Sequence, residues 1–422
     1  MRLFYNIGIA LYAVIIAMAA PFNAKARLWL RGRRGWRRKY AQIIQEHKNK
    51  PVVWFHCASL GEFEMARPVM EKLKEVYDDK LFLLVSFFSP SGYEVQKNYR
   101  FANAVIYLPI DTPLNANKFV ETINPILAVF VKYEIWVNYF RALKKNETKI
   151  VLMNAVFRSD QRFFKWYGGV FRKALRAVNK IFVQSKTSAD LLKSINIDAE
   201  VTGDTRYDRV MQVRSREKRI DDIVSWVNGK FCIVCGSTWG PEEEVIAKVF
   251  DKLPNDIKWI IAPHDVSETH IEKLKKMFGE KAAFHSQLAA GDEEKNVLII
   301  DSIGQLAQVY SLGKVSIVGG GFTGKLHNIL EPAVYGIPVL FGPYYTRFQE
   351  AIEMVEAKAA ISFYDDADIV IYIEWFYYDH VKAENVQQVQ EEIFARNKGA
   401  VNKVYNYVHS CISRIESSVE VR

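Results

Sequence analysis

Apolar residues in this chain fall into short unbroken runs, separated by longer stretches that are apolar on one side only. Runs starting at Pro51, Lys80, Ala104, Ile126, Lys149 and Lys180, with a weaker one at Ala199, read as buried strands. Between them, 65–77, 134–145 and 160–178 have helical spacing. The alternation restarts at Lys230, with further strands predicted from Ile257, Asn296, Lys314, Ile337 and Ala359. Helices are predicted over 240–253, 267–279, 303–313 and 347–357. Unbroken apolar strands alternating with helices make a parallel sheet covered on both faces. The pattern therefore predicts an α/β chain with two Rossmann-like domains, 51–205 and 230–384, facing a cleft. The polar stretch 206–229 reads as a linker and 385–422 as a C-terminal helical segment. Ligands of such sheets sit at the carboxyl ends of the strands, so the cleft is the expected site.

Residues 1–50 follow a different pattern. From Leu3 to Ala20 the chain is apolar apart from Asn6 and carries no charge. At 1.5 Å per residue this gives about 27 Å of helix, close to the thickness of a bilayer core. Residues 1–24 are therefore expected to form a membrane-anchor helix. Residues 25–50 are expected to form a basic interfacial segment, with Trp29 and Trp36 among the arginines. Positive charge stays on the cytoplasmic side, which puts the body in the cytoplasm and the first residues outside. The other reading is a helix lying in the interface. Only Arg2 precedes the apolar run, which argues against a cleaved signal peptide.

The net charge of +9 is concentrated at this end. Residues 1–50 hold eleven Lys and Arg against Glu46 alone, so the remaining chain sums to −1. A nucleic-acid partner would need a basic patch on the folded body, so none is expected. An anionic membrane surface is the expected partner. The four cysteines are too few for a disulfide framework, and Cys232 and Cys235 lie inside an apolar run and read as structural. No metal or other cofactor is implied. The Asp366-Ala367-Asp368 triplet reads as a helix start, and GxSxG, Walker A and HExxH motifs are absent from the sequence.

Candidate chemistry gathers where strands end. In 314–343, a strand leads to Gly319, Gly320 and Gly321, then to His327, Asn328, Ile329, Leu330 and Glu331. A glycine turn feeding a helix start suits an anion, and Glu331 one turn on suits ribose hydroxyls. Ser59, Gly61 and Glu62 fall at the first strand-to-helix turn, where a carboxylate can act as general base or simply favour the helix start. Glu134 occupies the matching edge after the fourth strand. Arg206 is placed to meet a donor phosphate or carboxylate. Pro263 and His264, and Ile303, Gly304 and Gln305, follow strands of the second half.

Together these segments resemble the 3-deoxy-D-manno-octulosonic acid (Kdo) transferases, glycosyltransferases of the GT-B fold. The matching stretches are ASLGE, YEIWVN, NAVFRS, FVQS, VTGDTRYD, CGSTWGPEEE, IAPH, IDSIGQL and VGGGFTGKLHNILEPAVYGIPVLFGP, in the family's order. The resemblance implies Glu62 as the base, with cytidine-nucleotide contacts at Pro263–His264, 303–305 and 328–331. Three departures stand out. Lys132-Tyr133-Glu134 replaces Glu-Thr-Glu, Pro263-His264-Asp265 replaces Pro-Arg-His, and Lys325-Leu326 replaces a glycine pair. The implied activity is inverting transfer of Kdo from CMP-Kdo to a phosphorylated lipid A precursor, on the cytoplasmic face of the inner membrane. A GT-B transferase or epimerase using a UDP-sugar, and a non-catalytic membrane-tethered nucleotide-sugar binder, are the alternatives.

Overall fold

In the computed structural model the described residues are 1–45, 50–215 and 220–420, with side chains as far as 414. Residues 46–49, 216–219 and 421–422 of the expected basic segment, linker and tail lie outside them. The chain divides into two units, residues 1–208 with 397–422, and residues 209–396. The C-terminal segment, expected as a separate piece from 385, is thus split at Asn397. Its last helix, Ala400–Glu420, packs Val404, Val408 and Ile412 into the first unit's core.

The first unit carries β1 (Val52–Cys57), β2 (Phe82–Phe87), β3 (Ala104–Tyr107), β4 (Leu127–Val131), β5 (Lys149–Ala155), β6 (Lys180–Val183) and β7 (Glu200–Val201). They form one parallel sheet in the order β3-β2-β1-β4-β5-β6-β7. Each buried run splits by alternation between two cores. Val52 and Trp54 of β1 face one core, while Val53, Phe55 and Cys57 face the other. Burying such side chains stabilises the fold by about 1.5–3 kcal/mol each.

Three helices precede the sheet: α1 (Arg2–Ala19), α2 (Ala24–Arg33) and α3 (Trp36–Gln45). The interfacial position expected for Trp29 and Trp36 is not found, because both are buried in the first unit. Trp36 and Tyr40 join the core beside Phe119. Arg33 is buried too, and its guanidinium lies 3.9 Å over the Trp29 ring. It donates to the carbonyls of Trp29 at 3.0 Å, Leu108 at 2.8 Å and Phe88 at 2.7 Å. Burial lowers its pKa to about 10. The domain therefore begins before residue 51, and the basic segment is part of it.

Helix α4 (Leu60–Tyr77) follows β1. The helix expected over 160–178 shrinks to Gly169–Leu175 behind two short turns. The chain is tightly folded there, since a side chain at Gly168 would meet the Arg162 carbonyl at 2.0 Å.

The second unit carries β8 (Cys232–Thr238), β9 (Lys258–Pro263), β10 (Ala282–Phe284), β11 (Val297–Ile299), β12 (Val315–Val318), β13 (Val339–Phe341) and β14 (Ala360–Ser362). They form a second parallel sheet, in the order β10-β11-β9-β8-β12-β13-β14. Cys232 and Cys235 are buried on opposite faces of β8, in separate cores. The expected linker is helical at both described ends, Thr205–Ser215 and Asp221–Val227.

One carboxylate of the first unit caps the start of the last helix. Asp208 accepts hydrogen bonds from the Gly399 and Val401 amides, both at 2.7 Å. Asp208→Ala should cost about 1 kcal/mol, as loss of an N-cap does. Amide exchange in Ala400–Glu420 should then quicken about fivefold, with the second sheet unchanged.

Candidate active site

In the first sheet β1 lies between β2 and β4, so chain connections leave it in both directions. The carboxyl ends of β1 and β4 therefore border the switch point where such sheets bind ligands. Ser59 precedes α4 in extended conformation, and Glu62 sits in the helix's first turn, 8% exposed. Its Oε2 accepts from the Ala58 amide, and the Ser59 amide adds a second hydrogen bond. Burial pushes the Glu62 pKa above the ordinary carboxylate range, against the pull of Lys132 and these amides. Gly61 beside it faces open space.

Glu134 follows β4 and is half-buried. Its pKa is raised by burial first and by the Glu62 charge second. The two carboxyls repel each other when both are ionised, so the pair holds a proton to higher pH than an isolated glutamate would. Lys132 is held at φ +56° and favours the ionised forms of Glu62, Glu134 and Asp204 alike.

A buried chain of polar groups supports this edge. Trp54 donates to Ser86 Oγ at 2.7 Å, and His56 Nδ1 meets the same oxygen at 2.8 Å. Trp136 donates its indole N–H to His56 Nε2 at 3.1 Å and also hydrogen-bonds Glu134. His56 is fully buried, and burial lowers its pKa to about 3, so the ring is neutral. Sequence reasoning passed over His56. The signal available was a histidine inside an otherwise apolar strand.

Arg206 does not stand free as a cation. Its Nε and Nη2 donate to Asp204 Oδ2 at 3.0 and 2.7 Å. Asp204 also accepts from Asn154 and Gln184, each at 2.9 Å. Burial opposes ionisation of Asp204, but Arg206 outweighs it and holds the pKa below the usual range. The charge assigned from sequence to a donor phosphate is thus already neutralised within the first unit.

In the second sheet β8 lies between β9 and β12. Four neighbouring strands, β11, β9, β8 and β12, end in the loops carrying Ile303–Gln305, His264, Trp239 and 319–331. All point the same way, so the four loops share one edge. Trp239 stacks on His264 at 4.4 Å between centroids, and His327 lies 4.5 Å from His264. Trp239 donates to His327 Nε2 at 3.1 Å. Burial lowers the pKa of both histidines, that of His327 to about 4. Pro263 is buried at the end of β9, while Ile303 is 87% exposed and Gly304 adopts φ +103°. Asn328 donates to Glu331 Oε1 at 3.0 Å and caps the Leu330 amide. Ile329 and Leu330 are fully buried, so their side chains belong to the core.

The glycine run is needed for close packing of backbone on backbone. A side chain at Gly319 would lie 2.0 Å from the Ser237 carbonyl, and one at Gly321 would lie 2.3 Å from the Gly342 amide. The amides of Gly320 and Phe322 donate to Glu242 Oε1 at 3.0 and 3.1 Å. Glu242 Oε2 accepts from the Trp239 amide at 3.2 Å. This buried carboxylate, unremarked in the sequence, is the anion that the glycine loop holds.

Residues 33–209 match the family described as 3-deoxy-D-manno-octulosonic-acid transferase (kdotransferase). This stretch covers most of the first unit. A Kdo transferase of Aquifex aeolicus is 28% identical over 74% of this chain and 81% of its own length. One from Haemophilus influenzae is 25% identical over 86% of this chain and 87% of its own. The structure of a UDP-GlcNAc 2-epimerase from Neisseria meningitidis, bound to UDP-GlcNAc, superposes with a TM-score of 0.57 at 13% identity. It covers 86% of this chain and 100% of that one. The shared fold is the GT-B arrangement of two Rossmann-like domains. The family match begins at residue 33, in agreement with a domain that includes Arg33, Trp36 and Tyr40.

Gly319→Ala should destabilise the second unit by about 3 kcal/mol, because the added methyl meets backbone that cannot swing away. Gly240→Ala faces open space and should change stability by less than about 0.5 kcal/mol. Chemical unfolding of the two variants checks the difference.

Proposed function

We propose that this chain is an inverting glycosyltransferase that moves Kdo from CMP-Kdo to a phosphorylated lipid A precursor at the cytoplasmic face of the membrane. The observation that carries this reading is Glu62 itself. It lies within the segment matched to the Kdo transferases, at the switch point of its sheet, buried and fixed by backbone amides. A base works best when its pKa approaches the working pH, and burial moves Glu62 in that direction.

In the reaction, an acceptor hydroxyl oxygen bonds to the anomeric carbon of Kdo as the bond to CMP breaks on the opposite side. The hydroxyl proton passes to Glu62, and CMP leaves with the bonding electrons. Glu134 keeps its proton longer and limits the negative charge beside the base. The edge formed by Trp239, His264, 303–305 and 328–331 takes the nucleotide, with Glu331 receiving the ribose hydroxyls. Neutral His264 and His327 offer ring faces and hydrogen bonds without a fixed charge. CMP released from preformed CMP-Kdo, with product mass measured on a tetra-acylated lipid A precursor, tests the reading. Turnover of a UDP-sugar alone would replace it with the epimerase-like alternative.

Glu62→Gln should lower transfer at least ~100-fold while CMP still binds, the scale of general-base loss. Glu331→Ala should weaken CMP binding by about 1.5–3 kcal/mol, the cost of losing hydrogen bonds to a charged acceptor. Unchanged affinity by calorimetry would remove Glu331 from the ribose.

The pH profile follows from the direction of the shift. Only the ionised base is active, and its pKa in the folded chain is raised. Activity should therefore fall on acidification through a midpoint clearly above the ordinary glutamate value of about 4.3. Glu134→Gln imitates the neutral acid and should leave that limb in place. A limb that moved down with Glu134→Gln would mean that Glu134 is ionised alongside Glu62.

A further inference from the structure

Helix α1 is apolar enough to cross a bilayer, yet it is fastened to the first unit from its first turn onward. Tyr5 donates to Asp111 Oδ2 at 2.5 Å. Asp111 is buried and also accepts from the Asn138 and Tyr139 amides at 3.2 and 3.0 Å. Asn138 donates to Asn6 at 2.9 Å, and Arg2 reaches Asn138 at 3.4 Å. The Tyr5 ring meets Phe171 edge-on at 5.7 Å. Two turns further on, Tyr12 packs against Trp29 and Phe88 at 6.2 and 6.1 Å. These contacts bind the inner face of the helix, from Arg2 to Tyr12, to one folded body.

A spanning helix cannot make them. With the body on the cytoplasmic side, about 25 Å of bilayer would separate Arg2 and Tyr5 from Asp111 and Asn138. The outer face of the same helix is wholly apolar. Leu3, Phe4, Ile7, Leu11, Ile15 and Met18 are 54–75% exposed, at the spacing of one helical stripe. Phe22 continues it, 92% exposed. A second apolar element lies beside its start. Trp166 is 88% exposed and Tyr167 48%, next to Gly169, where an added Cβ would be 3.3 Å from the Met1 methyl. Exposed cations cover 25–39, and the first acid in the chain is Glu46. A continuous apolar stripe edged with cations and free of acids is complementary to an anionic lipid surface.

We propose that the chain is monotopic. Helix α1 lies in the plane of the membrane surface, with its outer stripe among the acyl chains and its inner face on the protein. Trp166 and Tyr167 enter the same leaflet, and the exposed cations of 25–39 meet anionic phospholipid headgroups. Only the choice of the cytoplasmic leaflet rests on the function proposed above.

The test uses the full chain with Cys411→Ser and one cysteine in a short extension ahead of Met1. The remaining three cysteines are buried. A membrane-impermeant maleimide added to spheroplasts should not label the extension, while inverted vesicles should be labelled. Labelling from the spheroplast exterior would overturn the proposal in favour of a spanning helix. In parallel, purified full chain should float with vesicles of phosphatidylethanolamine and phosphatidylglycerol. The double change Trp166→Ser, Tyr167→Ser should weaken that binding about tenfold, since aromatic area leaves the apolar region. Unchanged flotation would remove this loop from the surface. A chain that instead pairs with a second copy and fails to float would mean that the stripe is a dimer interface. CMP release with acceptor in detergent micelles reads the catalytic function alone, so failure of either reading is seen separately.

Discussion

Both units depend on a carboxylate at a helix start that turns back onto the backbone before it. In the first unit Glu62, three residues after Ser59, binds the amides of Ala58 and Ser59. In the second, Glu242, three residues after Trp239, binds the amides of Trp239, Gly320 and Phe322. A buried carboxylate is costly unless hydrogen-bonded, and these amides would themselves be orphaned without it. Each interaction thus removes two penalties at once and fixes the strand-to-helix turn at the switch point of its sheet.

The two carboxylates then diverge in chemistry through their neighbours. Glu242 is 1% exposed and holds three amides across two loops, which suits a structural anion. Glu62 has the cation of Lys132 and a second acid, Glu134, within electrostatic reach. Two enclosed acids near one cation cannot both ionise easily, which separates their protonation states. For the transfer proposed above, such separation would set a proton acceptor beside a neutral partner. The departure from the family pattern at Lys132 therefore falls on the residue that tunes the site.

Most of the fold was legible because parallel strands buried on both faces leave unbroken apolar runs, as in β1, β2 and β9. Strand β10 was missed because Ala282–Phe284 is too short to stand out from its surroundings. The proposed base and the proposed nucleotide edge were legible as positions, since Glu62, His264 and Glu331 all follow strands. Their partners were not. Nothing local in VTGDTRYD shows that Arg206 is paired with Asp204, which also binds Asn154 on β5 and Gln184 just after β6. The packing role of the glycine run was not legible either, because the backbone it accommodates, at Ser237 and Gly342, lies far away in sequence.

The first helix shows the same limit in a membrane setting. A hydropathy count sums over a helix and ignores which way its residues face. Here Arg2, Tyr5 and Asn6 each hydrogen-bond a group on the first unit. The apolar remainder is left on the opposite face. Trp29 and Arg33, which read as interfacial by composition, instead build the floor under that helix: Trp29 meets Tyr12, and Arg33 secures Trp29. Length and apolarity are therefore equally consistent with crossing a bilayer and with lying on it. The direction of two tyrosines separates them, because a ring held against the protein body cannot also be on the far side of the lipid.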